Sequence, residues 1–237
     1  MLLAGRKHYV FGTPAEVSTV FRKPKVFSIA PFVRLIMKKL FGMDKATTDT
    51  LDANRDDFHQ AYDKFLLRPE HLEPVVRTFF KEIRPPFQAV MDDVAKTKDG
   101  VLRSTDLFNL VLDTMTKATT VAFFGPKPLE LDPSLARHMS DFIIHGFWPL
   151  FAGIPTYLLP HTYRVKKAVV NAMREGVVDP QLQGKPEAEQ ISAFTRYQVD
   201  YHARSLSPHS NAMNIFSFMF GRVATLIPSS TRLTSSC

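Results

Sequence analysis

The chain has 237 residues, 45% of them hydrophobic and 22% charged, with a formal net charge of +7; that is ordinary globular composition, enough for one large domain or two small ones. Its single cysteine, Cys237, excludes an intramolecular disulfide framework and a cysteine-based zinc site, and fits a reducing compartment. The basic residues are dispersed and no nucleic-acid motif accompanies them, so nucleic acid is not an expected partner, while 20 phenylalanines against one tryptophan point to bulky apolar packing and an apolar ligand.

The first residues, Met-Leu-Leu-Ala-Gly-Arg-Lys-His, are charged too soon for a signal peptide or anchor. Lys7–Gly12 reads as a short strand. Thr13-Pro14-Ala15-Glu16 is a capping-box helix start, and the helix runs to about Phe21. Val26–Phe32 is expected to be extended. Val33–Phe41 is a basic amphipathic helix carrying Arg34, Lys38 and Lys39, read as a surface helix with a membrane-surface role as the alternative. Asp52–Tyr62 begins another helix, and Leu66-Leu67-Arg68-Pro69 breaks it. Glu70–Arg84 has helical spacing, Pro85-Pro86 is expected to stop it, and Phe87–Ala95 is expected to be a separate helix. Leu107–Phe124 is the longest clear helix, ended by Gly125-Pro126. Asp132-Pro133 opens a helix through His145. Phe147–Leu159, with Pro149, Gly153 and Pro155, is expected to be a bent connection on an apolar surface. His161–Arg174 is a cationic helix, Asp179–Glu189 a polar loop and candidate mobile linker, and Ile191–His202 a helix. Ser207–Phe220 is apolar on nearly every side except for a notch at Ser210, Asn211 and Asn214. About 20 apolar residues are needed to span a bilayer. This run is shorter and interrupted, so it reads as the central helix of the domain.

Candidate chemistry is sparse. Asp52, Asn54, Asp56 and Asp63 fall at ligand positions of an EF-hand loop, but Asp57 stands where the loop needs glycine and Asp63 where it needs a bidentate glutamate. An acidic helix start explains them better. His138 and His145 could share a helix face, but two ligands do not make a metal site. No Gly-x-Ser-x-Gly elbow, Walker loop or Gly-x-Gly-x-x-Gly occurs. Trp148, within Phe147-Trp-Pro-Leu-Phe151, is either the aromatic wall of an apolar pocket or membrane-dipping segment, or a packed loop.

In this order the elements resemble the N-terminal half of a cytochrome P450. The stretches that carry the likeness are Lys7-His-Tyr-Val-Phe-Gly-Thr-Pro-Ala-Glu-Val17, Phe27-Ser-Ile-Ala-Pro-Phe-Val33, Thr116-Lys-Ala-Thr-Thr-Val-Ala-Phe-Phe-Gly-Pro126, the run Phe151-Ala-Gly-Ile-Pro155 to Pro160 with Tyr163-Arg164, and Asn211-Ala-Met-Asn-Ile-Phe216. The last two resemble the subgroup akin to sterol 7α-hydroxylases and prostacyclin synthase, which has many fungal members. There an Asn-containing stretch begins the central helix.

The departures are also clear. The family's cysteine thiolate sits on haem iron within Phe-x-x-Gly-x-x-x-Cys-x-Gly, and no such loop occurs; neither Glu-x-x-Arg nor Trp-x-x-x-Arg is present. Ala152-Gly-Ile-Pro-Thr156 has the letters of the oxygen-activation turn, but Pro155 stands in place of its acid.

The resemblance implies a mainly α, incomplete cytochrome P450-like fold of about ten helices with one or two short N-terminal strands. Residues 1–220 are expected to be the N-terminal half of that domain and 221–237 a polar, disordered tail outside the family pattern. It implies monooxygenation or rearrangement of an apolar small molecule, including lipid or secondary metabolites, using haem, oxygen and electrons from a reductase. In this chain the form is expected to be truncated and inactive, without bound haem. No residue is assigned as catalytic or metal-binding. The pocket candidates are Asn211, Ala212, Met213 and Asn214 on the central helix, with Trp148 and Phe151 above the pocket. The implied location is the endoplasmic reticulum membrane surface, with peripheral contact, or the cytoplasm. The competing reading is a stand-alone helical protein that binds a lipid or a partner without catalysis.

Overall fold

The computed structural model describes residues 2–3, 6–7, 12–23, 30–96 and 107–224. Leu2–Leu3 (β1) and Arg6–Lys7 (β2) pair antiparallel, Leu2 opposite Lys7 and Leu3 opposite Arg6. The short strand content is therefore as expected, but it sits earlier than Lys7–Gly12. Residues 8–11 of that expected strand lie outside the described residues.

The remaining regular structure among the described residues is helical, thirteen α-helices in all. Helix α1 (Pro14–Arg22) starts on its capping box. Thr13 Oγ1 accepts from Glu16 N at 3.3 Å, and the Glu16 carboxylate accepts from Thr13 N at 3.0 Å. Helix α2 (Ala30–Lys39) takes in the end of the stretch expected to be extended. Pro31 falls in its first turn, where a missing N–H costs nothing.

Helix α3 (Lys45–Ala53) has too polar a sequence to show by periodicity. Asp44 caps it by accepting from Thr47 N at 2.7 Å, and Thr47 and Thr48 are buried. Helix α4 (Arg55–Leu66) follows at once. Residues 52–63 therefore run through helical backbone and do not form the long loop that an EF-hand needs.

Helix α5 (Pro69–Lys96) corrects an expectation, because it continues through Pro85-Pro86. The prolines remove donors to the carbonyls of Lys81 and Glu82, which lie on exposed and half-exposed turns where water can serve them. Packing along α6 (Leu107–Phe124) holds the helix together past that point. Helix α6 has the expected ends and is followed by a short α7 (Lys127–Leu131).

Helix α8 (Leu135–Asp141) passes through a π-helical turn, Phe142–Gly146, into α9 (Phe147–Ala152). The expected bend over Phe147–Leu159 is thus partly helical. The π turn precedes Pro149 and accommodates its missing donor, and Gly153, at φ 90°, ends the helix. A 3-10 turn at Thr156–Leu158 leads to α10 (Pro160–Met173).

A second π turn, Arg174–Val178, joins α10 to α11 (Asp179–Leu182). Asp179–Glu189, expected to be a polar loop, thus begins as helix and is anchored near both ends. Pro180 and Ala188 are buried, and Lys185 N donates to Pro180 O at 2.9 Å. Helix α12 (Ala193–Ala203) is capped by Ser192, whose Oγ accepts from Thr195 N at 3.2 Å.

Helix α13 (Pro208–Ala224) is central, as its composition requires. Phe216 and Phe220, one turn apart, meet Phe41 and Phe142; the Phe216 ring lies 5.1 Å from each of them. On another face Phe218 meets Phe194 at 4.9 Å and Phe123 at 5.7 Å. An aromatic shell on several faces explains why the segment shows no polar side.

Candidate functional site

The first cavity opens along the flank of α13 and has a volume of about 480 Å³. Helix α2 contributes Val33, Arg34 and Met37, and α3 contributes Thr48, Leu51 and Asp52. Asn214, Ile215 and Phe218 form the α13 wall, and Phe194, Gln198 and His202 the α12 wall. The lining is mostly apolar.

Its charged corner is self-neutralised. Arg34 Nε donates to Asp52 Oδ2 at 2.6 Å, and Asp49 lies 3.8 Å from the guanidinium. This pair ties α2 to α3 across one side of the cavity. The Tyr201 hydroxyl donates to Asp57, fastening α12 to α4 on another side.

His202 is only 3% exposed. Its Nε2 meets Gln198 Oε1 at 3.2 Å, and Nδ1 is buried without a partner. Burial pushes the imidazole down to about 4 from an ordinary 6.5, so at neutral pH it is uncharged. The unfolded chain then binds a proton that the folded chain refuses between those two values. Stability is expected to be complete above pH 6.5 and to fall toward pH 4, by up to about 3 kcal/mol from this group. Denaturant unfolding of wild type and His202→Phe across that range checks this. A variant that loses as much stability on acidification as the wild type contradicts it.

The second cavity, of about 540 Å³, lies between the α2–α3 junction, α10 and the start of α13. Its lining mixes polar and apolar surface and is basic, with Lys166, Lys167 and Arg174 on its walls beside His209.

The structure separates the residues singled out from the sequence. Asn214 lines the first cavity and Met213 the second. Asn211 and Ala212 are fully buried and line neither. Asn211 works as a fastener: Nδ2 donates to Val199 O at 2.9 Å, holding α13 to α12, while Oδ1 is buried without a partner.

Trp148 is 69% exposed and lines neither cavity. Phe151 stacks on Phe147 at 5.8 Å, and Phe147 stacks on Phe220 at 5.9 Å. Phe151 therefore reaches the central helix through a ladder of rings and not through a cavity. Tyr157 and Leu158 are exposed beside this segment, and no helix among the described residues is long and apolar enough to cross a membrane. His138 is committed to Asp132 at 2.7 Å and His145 is exposed, and no cluster of three metal-ligating side chains forms among the described residues.

Sequence reasoning missed Arg34 with Asp52, and Gln198 with His202. The second pair had a signal. Thr195, Gln198 and His202 form a polar stripe at helical spacing, and all three are buried.

Two curated proteins are similar to this chain. Cytochrome P450 monooxygenase poxD of Penicillium oxalicum is 24% identical over 226 residues, which cover 95% of this chain and 46% of the relative. Cytochrome P450 monooxygenase calL of Penicillium decumbens is 23% identical over 194 residues, which cover 73% of this chain and 33% of the relative. The chain thus spans less than half the length of these relatives. No protein-family model matches it, and no solved structure matches it significantly.

Proposed function

We propose that this chain is part of a cytochrome P450-like monooxygenase and forms the wall of its pocket for an apolar small molecule. One observation carries this. A chain similar over 95% of its length to a P450 monooxygenase carries a mostly apolar cavity against its central helix. Ile215, Phe218, Met37 and Leu51 supply the apolar surface, and the Arg34–Asp52 pair closes a corner without leaving a net charge.

Asn211-Ala212-Met213-Asn214 at the start of α13 supports the subgroup akin to sterol 7α-hydroxylases and prostacyclin synthase. Within it, Asn214 is the member that faces the cavity, and Asn211 positions the helix.

In the P450 family the reaction is oxygen insertion at a haem held by a cysteine thiolate, with electrons from a reductase. The described residues do not fit that ligation. No thiol lines either cavity, and Cys237 lies outside the described residues. The role assigned to this chain is therefore to bind and orient the molecule and to exclude water from it.

The test is binding of the fluorescent apolar probe N-phenyl-1-naphthylamine to the 237-residue chain. Saturable binding is expected. Ile215→Trp, which fills the cavity, is expected to weaken it about tenfold or more, because the probe's apolar burial is lost. Met37→Trp is a second filling variant, and Leu158→Ser, on the exposed segment, should leave binding unchanged. Binding that both filling variants preserve sinks the proposal.

A further inference from the structure

We infer that the basic cleft between α10 and the start of α13 is a binding site for a phosphate group, carried by a soluble molecule or a lipid headgroup. This rests on the second cavity and is independent of the apolar pocket.

The cleft holds an ammonium with no counter-ion. Lys166 is half-buried, and its Nζ makes no hydrogen bond or ion pair with any described residue. The atom lies 3.1 Å from where a side chain on Gly42 would begin, so the glycine leaves it room. Desolvation without a compensating carboxylate pushes this amine down to about 8 from 10.5. An uncompensated charge held partly out of water is costly, and such groups mark sites where a ligand supplies the missing partner.

The surroundings repeat the same sign. Lys167 lines the cleft with no partner among the described residues, as does the imidazole of His209, and Arg174 Nε is buried with no hydrogen bond to a described residue, 3.9 Å from Asp179. Arg174 Nη2 is held by the exposed Glu175 at 2.8 Å, a surface pair that contributes little. The one carboxylate on the wall among the described residues, Asp44, accepts from the Thr47 amide at 2.7 Å. Thr47 and Ser210 add hydroxyls 3.5 Å apart. Three cationic side chains, an imidazole and two hydroxyls exceed what the two oxygens of a carboxylate can use. They suit the three terminal oxygens of a phosphate.

Inorganic pyrophosphate is the soluble probe, with sodium chloride at matched ionic strength as its control. Vesicles of phosphatidylcholine with phosphatidic acid are the lipid probe, with phosphatidylcholine alone as theirs. One of the two phosphates is expected to bind above its control, which also identifies the source. Lys166→Met is expected to weaken that binding about tenfold or more, as loss of a charge-assisted contact does. Lys81→Met, on the exposed face of α5, is expected to leave it unchanged. Acylation mapped by mass spectrometry needs no variant: the bound phosphate should protect Lys166 and leave Lys81 reactive. Failure of both phosphates to exceed their controls overturns the inference. Undiminished binding in Lys166→Met, or an unprotected Lys166 in the saturated wild type, overturns it equally.

Discussion

Phe216→Ala is expected to lower the unfolding free energy by about 3–5 kcal/mol. The side chain is fully buried at the middle of α13, with the Phe41 and Phe142 rings each 5.1 Å away. The three rings sit on three different elements: Phe41 just after α2, Phe142 in the π turn, and Phe216 on α13. They cannot all move in to fill the space, so the loss of transfer energy adds to the cost of a cavity. Urea unfolding should show a lower midpoint with an unchanged slope. Phe21→Ala is the control, because Phe21 is 80% exposed and should shift stability by no more than about 0.5 kcal/mol. A loss below about 1 kcal/mol at Phe216 would mean that α13 is not the centre of the core.

Asn211→Asp should cost about 3 kcal/mol or more at neutral pH, although it changes a single atom. Asn211 is fully buried and its amide donates to the Val199 carbonyl. A carboxylate there faces a carbonyl oxygen with no proton between them. Protonation supplies the missing donor, so burial raises the folded pKa of the new group above its unfolded value. The destabilisation relative to wild type is therefore smallest below the unfolded carboxyl value and grows as pH rises through the folded one. Unfolding measured at several pH values checks the sign. A penalty independent of pH would show that Asn211 acts through shape and not through its hydrogen bond.

Several features of the fold could be read directly. Thr13 with Glu16, Gly125-Pro126, and the all-round apolar run after Pro208 each act through neighbours in sequence, and the structure has them in place. The misses share one cause, which is distant packing overriding a local signal. Pro85-Pro86 fails to stop α5 because α6 lies alongside it. Asp179–Glu189 has linker composition, yet Pro180 and Ala188 are buried. Helix α3 has no apolar periodicity, and buried threonines hold it.

The site was legible only in outline. The notch on α13 marked the right helix, but which of its residues faces a cavity depends on the helix's rotation, which its nearly uniform apolar sequence does not encode. Asn214 faces the cavity, and Asn211 faces α12 three residues earlier. Trp148 and Phe151 drew notice as aromatics beside prolines. On α9 they part: Trp148 is left exposed, while Phe151 packs onto Phe147 toward the core.

The most direct test of the central claim is methyl NMR of the chain titrated with N-phenyl-1-naphthylamine. If the cavity against α13 holds apolar molecules, the methyl signals of Ile215, Met37 and Leu51 shift together and saturate with the binding curve. Shifts confined to Ile144, Ile154 and Leu158 on the exposed segment, with Ile215 unmoved, would contradict it.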